Sequence, residues 1–257
     1  MSGIDRRGWL RGAAASAGGL MLSACDRLTQ SQGVQRTLAG AEGLTKLVQR
    51  GLFPRTALAP EFGPEDISPD FRANGTRNPQ DPGYVALRDS GFAGYRLVVD
   101  GLVERPLALS LPELRALPGR SQITRHDCVE GWSSIGKWTG ARLSAVLQAA
   151  GLRDEARFIV FHCADKLEPT PDESGRYYES IDLEDAFHEQ TILAYDMNGA
   201  PLPVPHGAPV RLRVERQLGY KHAKYVMRIE AVDSLARLGR GKGGYWEDRG
   251  YEWYAGI

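Results

Sequence analysis

From Val210 to Glu215 the chain alternates strictly, with Val210, Leu212 and Val214 set against Arg211, Arg213 and Glu215. A period of two is what a β-strand with one buried and one polar face demands, and a helix cannot satisfy it. Such a strand needs partners, and the sequence offers several. Phe158 to Phe161 is a continuous apolar run of the kind that forms a buried strand, and Tyr225 to Ile229 reads as the last strand. Tyr95 to Val99 and Leu107 to Leu109 read as the arms of a hairpin turned at Asp100-Gly101. Asn198-Gly199 carries the chemistry of another tight turn. The helices expected are short. Ser110-Leu111-Pro112-Glu113 is a capping box, in which each side chain satisfies the other residue's free backbone amide, so a helix should run to about Leu117. Leu143 to Ala150, closed by Gly151, and Asp182 to Phe187 complete the set. With 30 glycines and 15 prolines to make turns, the pattern predicts an α+β body of mixed sheets and short helices, not a helical bundle.

The N-terminus reads as an address rather than a fold element. Asp5-Arg6-Arg7-Gly8-Trp9-Leu10-Arg11 leads into thirteen uncharged residues, Gly12 to Ala24. Paired arginines before an apolar run resemble a twin-arginine signal, the export route of proteins that fold around a cofactor before crossing a membrane. The run is shorter than the roughly 20 apolar residues of a membrane-spanning helix. Leu22-Ser23-Ala24-Cys25 resembles a lipoprotein cleavage box, which would place a lipid on Cys25 and anchor the chain without spanning. The expectation is therefore a signal over residues 1–25, a tether and irregular segment over 26–64 and one domain over 65–257, working in the periplasm. Pro60 to Pro82, with five prolines, reads as irregular loop. Thirty-two basic and thirty-two acidic residues balance, which argues against a nucleic-acid partner.

Chemistry-bearing residues concentrate in two places. Arg125-His126-Asp127-Cys128-Val129-Glu130-Gly131-Trp132-Ser133 sets a cysteine among ionisable neighbours and a glycine, just after a strand-like stretch. Thiolates are good ligands for soft or highly charged metals, which deprotonate the sulfur on binding. From His206 to Arg228 stand Arg211, Arg213, Arg216, Lys221, Lys224 and Arg228 against Glu215 alone. A bound phosphate would account for that excess, with Gly207 and Gly219 admitting backbone amides close to the anion. Other readings stay open on the residues alone. The basic residues suit the solvated face of a strand, and Cys128 and Cys163 suit a disulfide in an oxidising compartment. Zinc on His126, Cys128, His162 and Cys163 is a poorer fit, because adjacent strand residues point to opposite faces.

Cys128-Val129-Glu130-Gly131-Trp132-Ser133, followed by Trp138 and Gly140, resembles the molybdenum-ligand loop of the sulfite oxidase family. Leu193 to Gly199, Pro201-Leu202-Pro203, His206 to Arg211 and Gly219 to Val226 are similar to the family's second signature, in the same order. The resemblance covers roughly residues 65 to 257 and is nearest the branch of periplasmic protein-methionine-sulfoxide reductase catalytic subunits. It implies a sulfite oxidase-like molybdopterin-binding fold in a single catalytic domain, with molybdenum held by the cofactor and by Cys128. It further implies cofactor contacts from Arg72, Asn74, Cys163, His206, Arg211, His222, Ala223 and Lys224, and a proton-handling role for Glu130. The reaction implied is oxygen-atom transfer on a sulfur-containing substrate, either sulfite oxidation or sulfoxide reduction. Only 24 residues follow Asp233, so the expectation is electron exchange with a separate haem-type partner, in the membrane or soluble. Gly131 and Ser134-Ile135-Gly136-Lys137 depart from the reductase pattern beside the expected pocket. The reading from a different class is a non-catalytic exported lipoprotein, with a Cys128–Cys163 disulfide and a basic partner-binding strand. The aromatic run Gly244 to Tyr254 suits a pocket rim, though plain packing explains it as well.

Overall fold

The computed structural model describes residues 31, 43–52, 54 and 56–257, so the expectations at Arg6, Arg7 and Cys25 lie outside the described residues. The chain divides into two units, Met1–Leu52 and Phe53–Ile257. In the first, residues 43–52 are helical. Among the described residues no helix is long and apolar enough to cross a membrane.

The second unit is built on two five-stranded sheets. The first runs β2 (Leu107–Leu109), β1 (Leu97–Gly101), β10 (Val226–Val232), β5 (Phe158–Lys166) and β6 (Arg176–Asp182). The second runs β3 (Gly119–Asp127), β4 (Ser133–Arg142), β7 (Ile192–Met197) and β8 (Ala200–Pro201), with β9 (Arg211–Arg213) also paired to β7. Every pairing is antiparallel except that of β1 with β10, so the first sheet is mixed, as expected.

Local sequence explains the helices. Helix α1 (Pro82–Asp89) starts where Asp81 accepts from the Tyr84 amide at 3.0 Å and Pro82 supplies a preset φ. The loop expected over Pro60 to Pro82 ends where this helix begins, and no helix is expected from the sequence here. Helix α2 (Leu111–Ala116) has the expected box, the Ser110 amide donating to Glu113 at 2.8 Å. Helix α3 (Leu143–Ala150) buries Leu143, Val146, Leu147 and Ala150 and stops at Gly151, whose φ is 70°. Helix α4 (Leu183–Ala186) is capped by Asp182. The Asn198-Gly199 turn joins β7 to β8 with φ of 52° and 81°, the positive pair of a tight hairpin. Asp100-Gly101, by contrast, is not a turn. Both residues remain in β1, paired with Glu230 and Ala231, and the hairpin turns later.

One continuous core joins the two sheets and α3 through Leu97, Val99, Ile159, Phe161, Leu193 and Leu212. The far face of β7 buries Ile192 and Ala194 in a second cluster with Phe71, Trp138 and Leu202. Strand β9 lies against β7, and both of its faces are buried. This corrects the reading of a half-solvated strand: Val210 to Glu215 are all buried, charged residues included. The Arg213 and Glu215 charges are tolerable because each matches the other. Arg213 donates to Glu215 at 2.8 Å through Nε, and to His126 Nδ1 at 3.0 Å through Nη1. Removing one partner of a fully buried pair typically costs about 3–5 kcal/mol, because the other charge is left stranded. Glu215→Ala should therefore lower the unfolding free energy by about that much in urea titration, where a solvated strand face would give under about 0.5 kcal/mol.

Candidate active site

The tip of the β3–β4 hairpin carries Cys128. The ladder closes with Asp127 opposite Ser133. Beyond it, the Cys128 amide donates to Trp132 O at 3.0 Å, and the Gly131 amide donates back to Cys128 O at 3.0 Å. Gly131 makes this turn at a φ of 83°, where a side chain would be strained. The result is a thiol fixed at the end of a rigid ribbon, half-buried and unbridged.

Cys128 opens into a cavity of about 160 Å³. Its walls come from the loop at Asn74, Gly75 and Thr76, from the hairpin tip, from the segment 219–224 and from Trp246 and Tyr251 near the C-terminus. Trp246 and Tyr251 stack at 5.2 Å, so the aromatic run does form part of the rim. Burial pushes the Cys128 thiol up, with the Glu130 charge adding to it, while the Glu130 and Val129 amides and Arg72 act the other way. Glu130 is exposed at the mouth and accepts from the Trp132 indole at 2.9 Å. Arg72 sits there too, 3.9 Å from Glu130 and over the Trp132 ring at 5.3 Å.

Cations lie behind the cavity but not as one anion cradle. Lys221 is buried between Glu179 and Glu247, Arg213 is taken by Glu215, and Arg228 pairs with Asp100 and Glu230. These remote acids balance an excess that looked uncompensated in sequence. Lys224 is different: its ammonium is held by main-chain carbonyls, Asn74 O at 2.6 Å, Pro205 O at 3.0 Å and Thr76 O. Its three donors are used, so it offers the cavity a field. Burial and the Arg211 charge push Lys224 down, and burial pushes the neighbouring Asp165 up. Arg211 stacks on Trp138 at 5.0 Å and donates to His206 O at 3.0 Å, while its Nε is buried without a partner. Gly207 and Gly219 admit side chains, not an anion. A Cβ on Gly219 would meet His126 Nε2 at 2.5 Å, and one on Gly207 would meet Lys224 Cβ at 3.0 Å.

His126 and His222, both buried, have definite tautomers. Arg213 can only donate, so His126 accepts at Nδ1 and carries its proton on Nε2. Gln217 O can only accept, so His222 carries its proton on Nε2 and turns a lone pair outward from Nδ1. Burial, reinforced by Arg213, holds both neutral. Neither His126 Nε2 nor His222 Nδ1 has a partner, although the rings meet edge to face at 5.1 Å. Each leaves a buried hydrogen-bonding atom that a bound group could satisfy.

Of the sequence-chosen residues, Asn74, Cys128, Glu130, His222 and Lys224 come together around the cavity. Arg72 stands at its mouth, and His206 and Arg211 pack behind Lys224. Ala223 is buried, its carbonyl accepting from the Leu212 amide at 2.8 Å. Cys163 is buried in the main core and does not line the cavity. The even spacing of β5 turns it inward while His162 faces the other way. Asp165 and Tyr177 were missed. A carboxylate ending the apolar stretch Phe158 to Ala164 was the available signal for the first; Tyr177 gave none. No group of three or more metal-ligating side chains occurs among the described residues, and His162 is bound to Glu230 at 2.9 Å, so the zinc reading falls. The disulfide reading falls with the two free thiols, and a buried β9 offers no partner-binding face.

His206 supplies a test of the electrostatics. Burial first, then Arg211 and Lys224, push it down to about 4. A base depressed in the folded state stabilises the fold above its unfolded value near 6.5, and that contribution fades as pH falls toward 4. Thermal unfolding midpoints of His206→Gln should thus fall less steeply than those of the parent across this window.

The description "Oxidoreductase molybdopterin binding domain" belongs to the family model that matches residues 85–237. A putative protein-methionine-sulfoxide reductase subunit YedZ1 from Azospira oryzae is 36% identical over 98% of this chain and 87% of its own. Protein-methionine-sulfoxide reductase catalytic subunit MsrP from Xanthomonas campestris is 34% identical over 58% of this chain, which spans about half of that relative, 48%. Among solved structures, sulfane dehydrogenase SoxCD from Paracoccus pantotrophus aligns with a TM-score of 0.49 at 22% identity, over 70% of this chain and 46% of that one.

Proposed function

This chain belongs to the molybdopterin-binding oxidoreductases of the sulfite oxidase type, and we propose that within that family it reduces sulfoxides, drawing electrons from a separate protein. The cofactor of the family is molybdenum-molybdopterin, and the residues present fit it. A free thiol stands on a rigid hairpin tip at the cavity. Behind it are the unpartnered lone pair of His222, the unpartnered N–H of His126 and a partly free Arg211, all buried. A heterocycle rich in N–H groups and carrying a phosphate offers counterparts to each. In the proposed arrangement Cys128 holds the metal, Asn74, His206, Arg211 and His222 contact the pterin and its phosphate, Lys224 acts on them through its field, and Ala223 fixes the segment between His222 and Lys224. Arg72 closes the mouth.

When bound, the molybdenum would supply two-electron oxygen-atom transfer. The chain's own residues set which sulfur compound can approach. The walls include Leu167, Tyr177, Tyr220, Trp246 and Tyr251, with Glu130 and Asp165 beside the single cation Lys224. Aromatic walls with two carboxyl groups suit a neutral sulfoxide with apolar flanks and disfavour a dianion such as sulfite. That composition is the observation that carries the reading. Net, a sulfoxide takes two electrons and two protons and leaves as sulfide and water. Glu130, oriented by the Trp132 indole, would hand on one proton at the mouth, and the water departs through the same opening. The relatives' names, as subunits, support a separate electron partner, for which a membrane haem protein is the proposed class. The twin-arginine leader and Cys25 support work in the periplasm, with a lipid anchor at the membrane.

Two measurements test this. Holoprotein should reduce a methionine sulfoxide peptide with reduced viologen far faster than it oxidises sulfite with ferricyanide; the reverse order would sink the substrate assignment. Elemental analysis should find molybdenum in the parent and none in Cys128→Ser, while Glu130→Gln keeps the metal and loses about 10²-fold in kcat.

A further inference from the structure

A second cavity, of about 370 Å³, lies behind the first, and Tyr177 lines both. The loop over residues 235–242 contributes Leu238, Gly239 and Arg240 to its lining, and Tyr177 is the residue the two cavities share. Three cations, Arg237, Arg240 and Lys242, are exposed on this loop, and none has a side-chain hydrogen bond or ion pair among the described residues. The loop is nevertheless fixed. Leu238 N donates to Leu235 O at 3.0 Å and Gly241 N to Leu238 O at 2.7 Å, two successive turns. Asp248 then accepts from Arg240 N at 2.9 Å, Lys242 N at 3.1 Å and the Tyr178 hydroxyl at 2.6 Å. Asp248 is thus spent on holding the backbone, and the three cations stay exposed, Arg240 at the edge of the cavity. Glu168 feels Arg240, but its carboxylate is engaged by Arg249 at two points, 3.0 and 3.1 Å. Asp233 is the exposed acid at the loop's start.

In a chain of zero net charge, three unpaired cations on a rigid loop are a local field aimed at a partner. We propose that the loop 235–242 is the docking surface for the electron-carrying protein, which meets it with an acidic face. The proposal rests on the oxidoreductase reading above and deepens it by naming where the carrier binds. In this proposal electrons pass to the thiol cavity by way of Tyr177, which lines both cavities. For each sulfoxide reduced, two one-electron deliveries leave two carriers oxidised, and two protons depart in water.

The test uses reduced flavodoxin, which stands in for the haem carrier as a redox protein with an acidic face, and reduced viologen, a small dye, with the holoenzyme and with Arg237→Glu/Arg240→Glu/Lys242→Glu. Flavodoxin binding by surface plasmon resonance should weaken about tenfold between about 20 and about 200 mM salt for the parent and hardly at all for the variant. At the lower salt, flavodoxin-driven sulfoxide reduction should fall about tenfold in the variant, while the viologen-driven rate stays within twofold. Equal binding by parent and variant, or equal loss of both rates, overturns the docking assignment. Displacement of flavodoxin by inorganic phosphate, beyond that by chloride at matched ionic strength, would assign the cavity to a small anion and overturn it also. Failure of the viologen reaction in the parent would instead count against the sulfoxide reductase reading.

Discussion

The fold depends on β9 being buried on both faces while carrying two arginines and a glutamate. A strand in that position normally reads as continuous apolar sequence. Here Arg213 meets Glu215 and His126 in the interior, and Arg211 stacks on Trp138. Both guanidiniums lie over the same indole, at 4.4 and 5.0 Å. That arrangement fixes β9 against β3 and β4, and with it the hairpin whose tip bears Cys128. The tautomer of His126 follows from the same contact. The metal-binding thiol proposed for this chain is therefore positioned by charge matching several residues away from it.

The same logic orders the rest of the site. Lys221 holds β6 and the C-terminal segment together through Glu179 and Glu247, while its neighbours Tyr220 and His222 face the cavity. Lys224 gathers the loop at Asn74 and Thr76. Adjacent residues thus divide the labour, one set locking segments and the other lining the space they enclose.

Much of this was legible in the sequence where the physics is local. The Ser110 box, the Gly151 stop, the Asp182 cap and the Asn198-Gly199 turn depend on neighbours within four residues, and each appears as expected. The family and its cofactor were legible from separated motifs in the right order. What could not be read was anything decided at long range. Alternation at 210–215 reports that a strand exists, but whether its polar face meets water or Glu215 and His126 depends on what packs on β7. The basic excess from 206 to 228 looked like an anion site because its acids, at Asp100, Glu179, Glu230 and Glu247, are remote or lie just outside the run. Resemblance points to Cys163 as a pocket neighbour; it is buried in the core two residues before Asp165, which lines the cavity on the same strand.

The walls of the thiol cavity are drawn from residue 74 through residue 251, and the ammonium closing its inner side grips a carbonyl 150 positions earlier in the chain. No early-folding fragment contains more than a few of these walls. A ribosome must have released the chain through residue 251 before there is a complete enclosure for a prosthetic group to enter, so loading waits on the last of these walls.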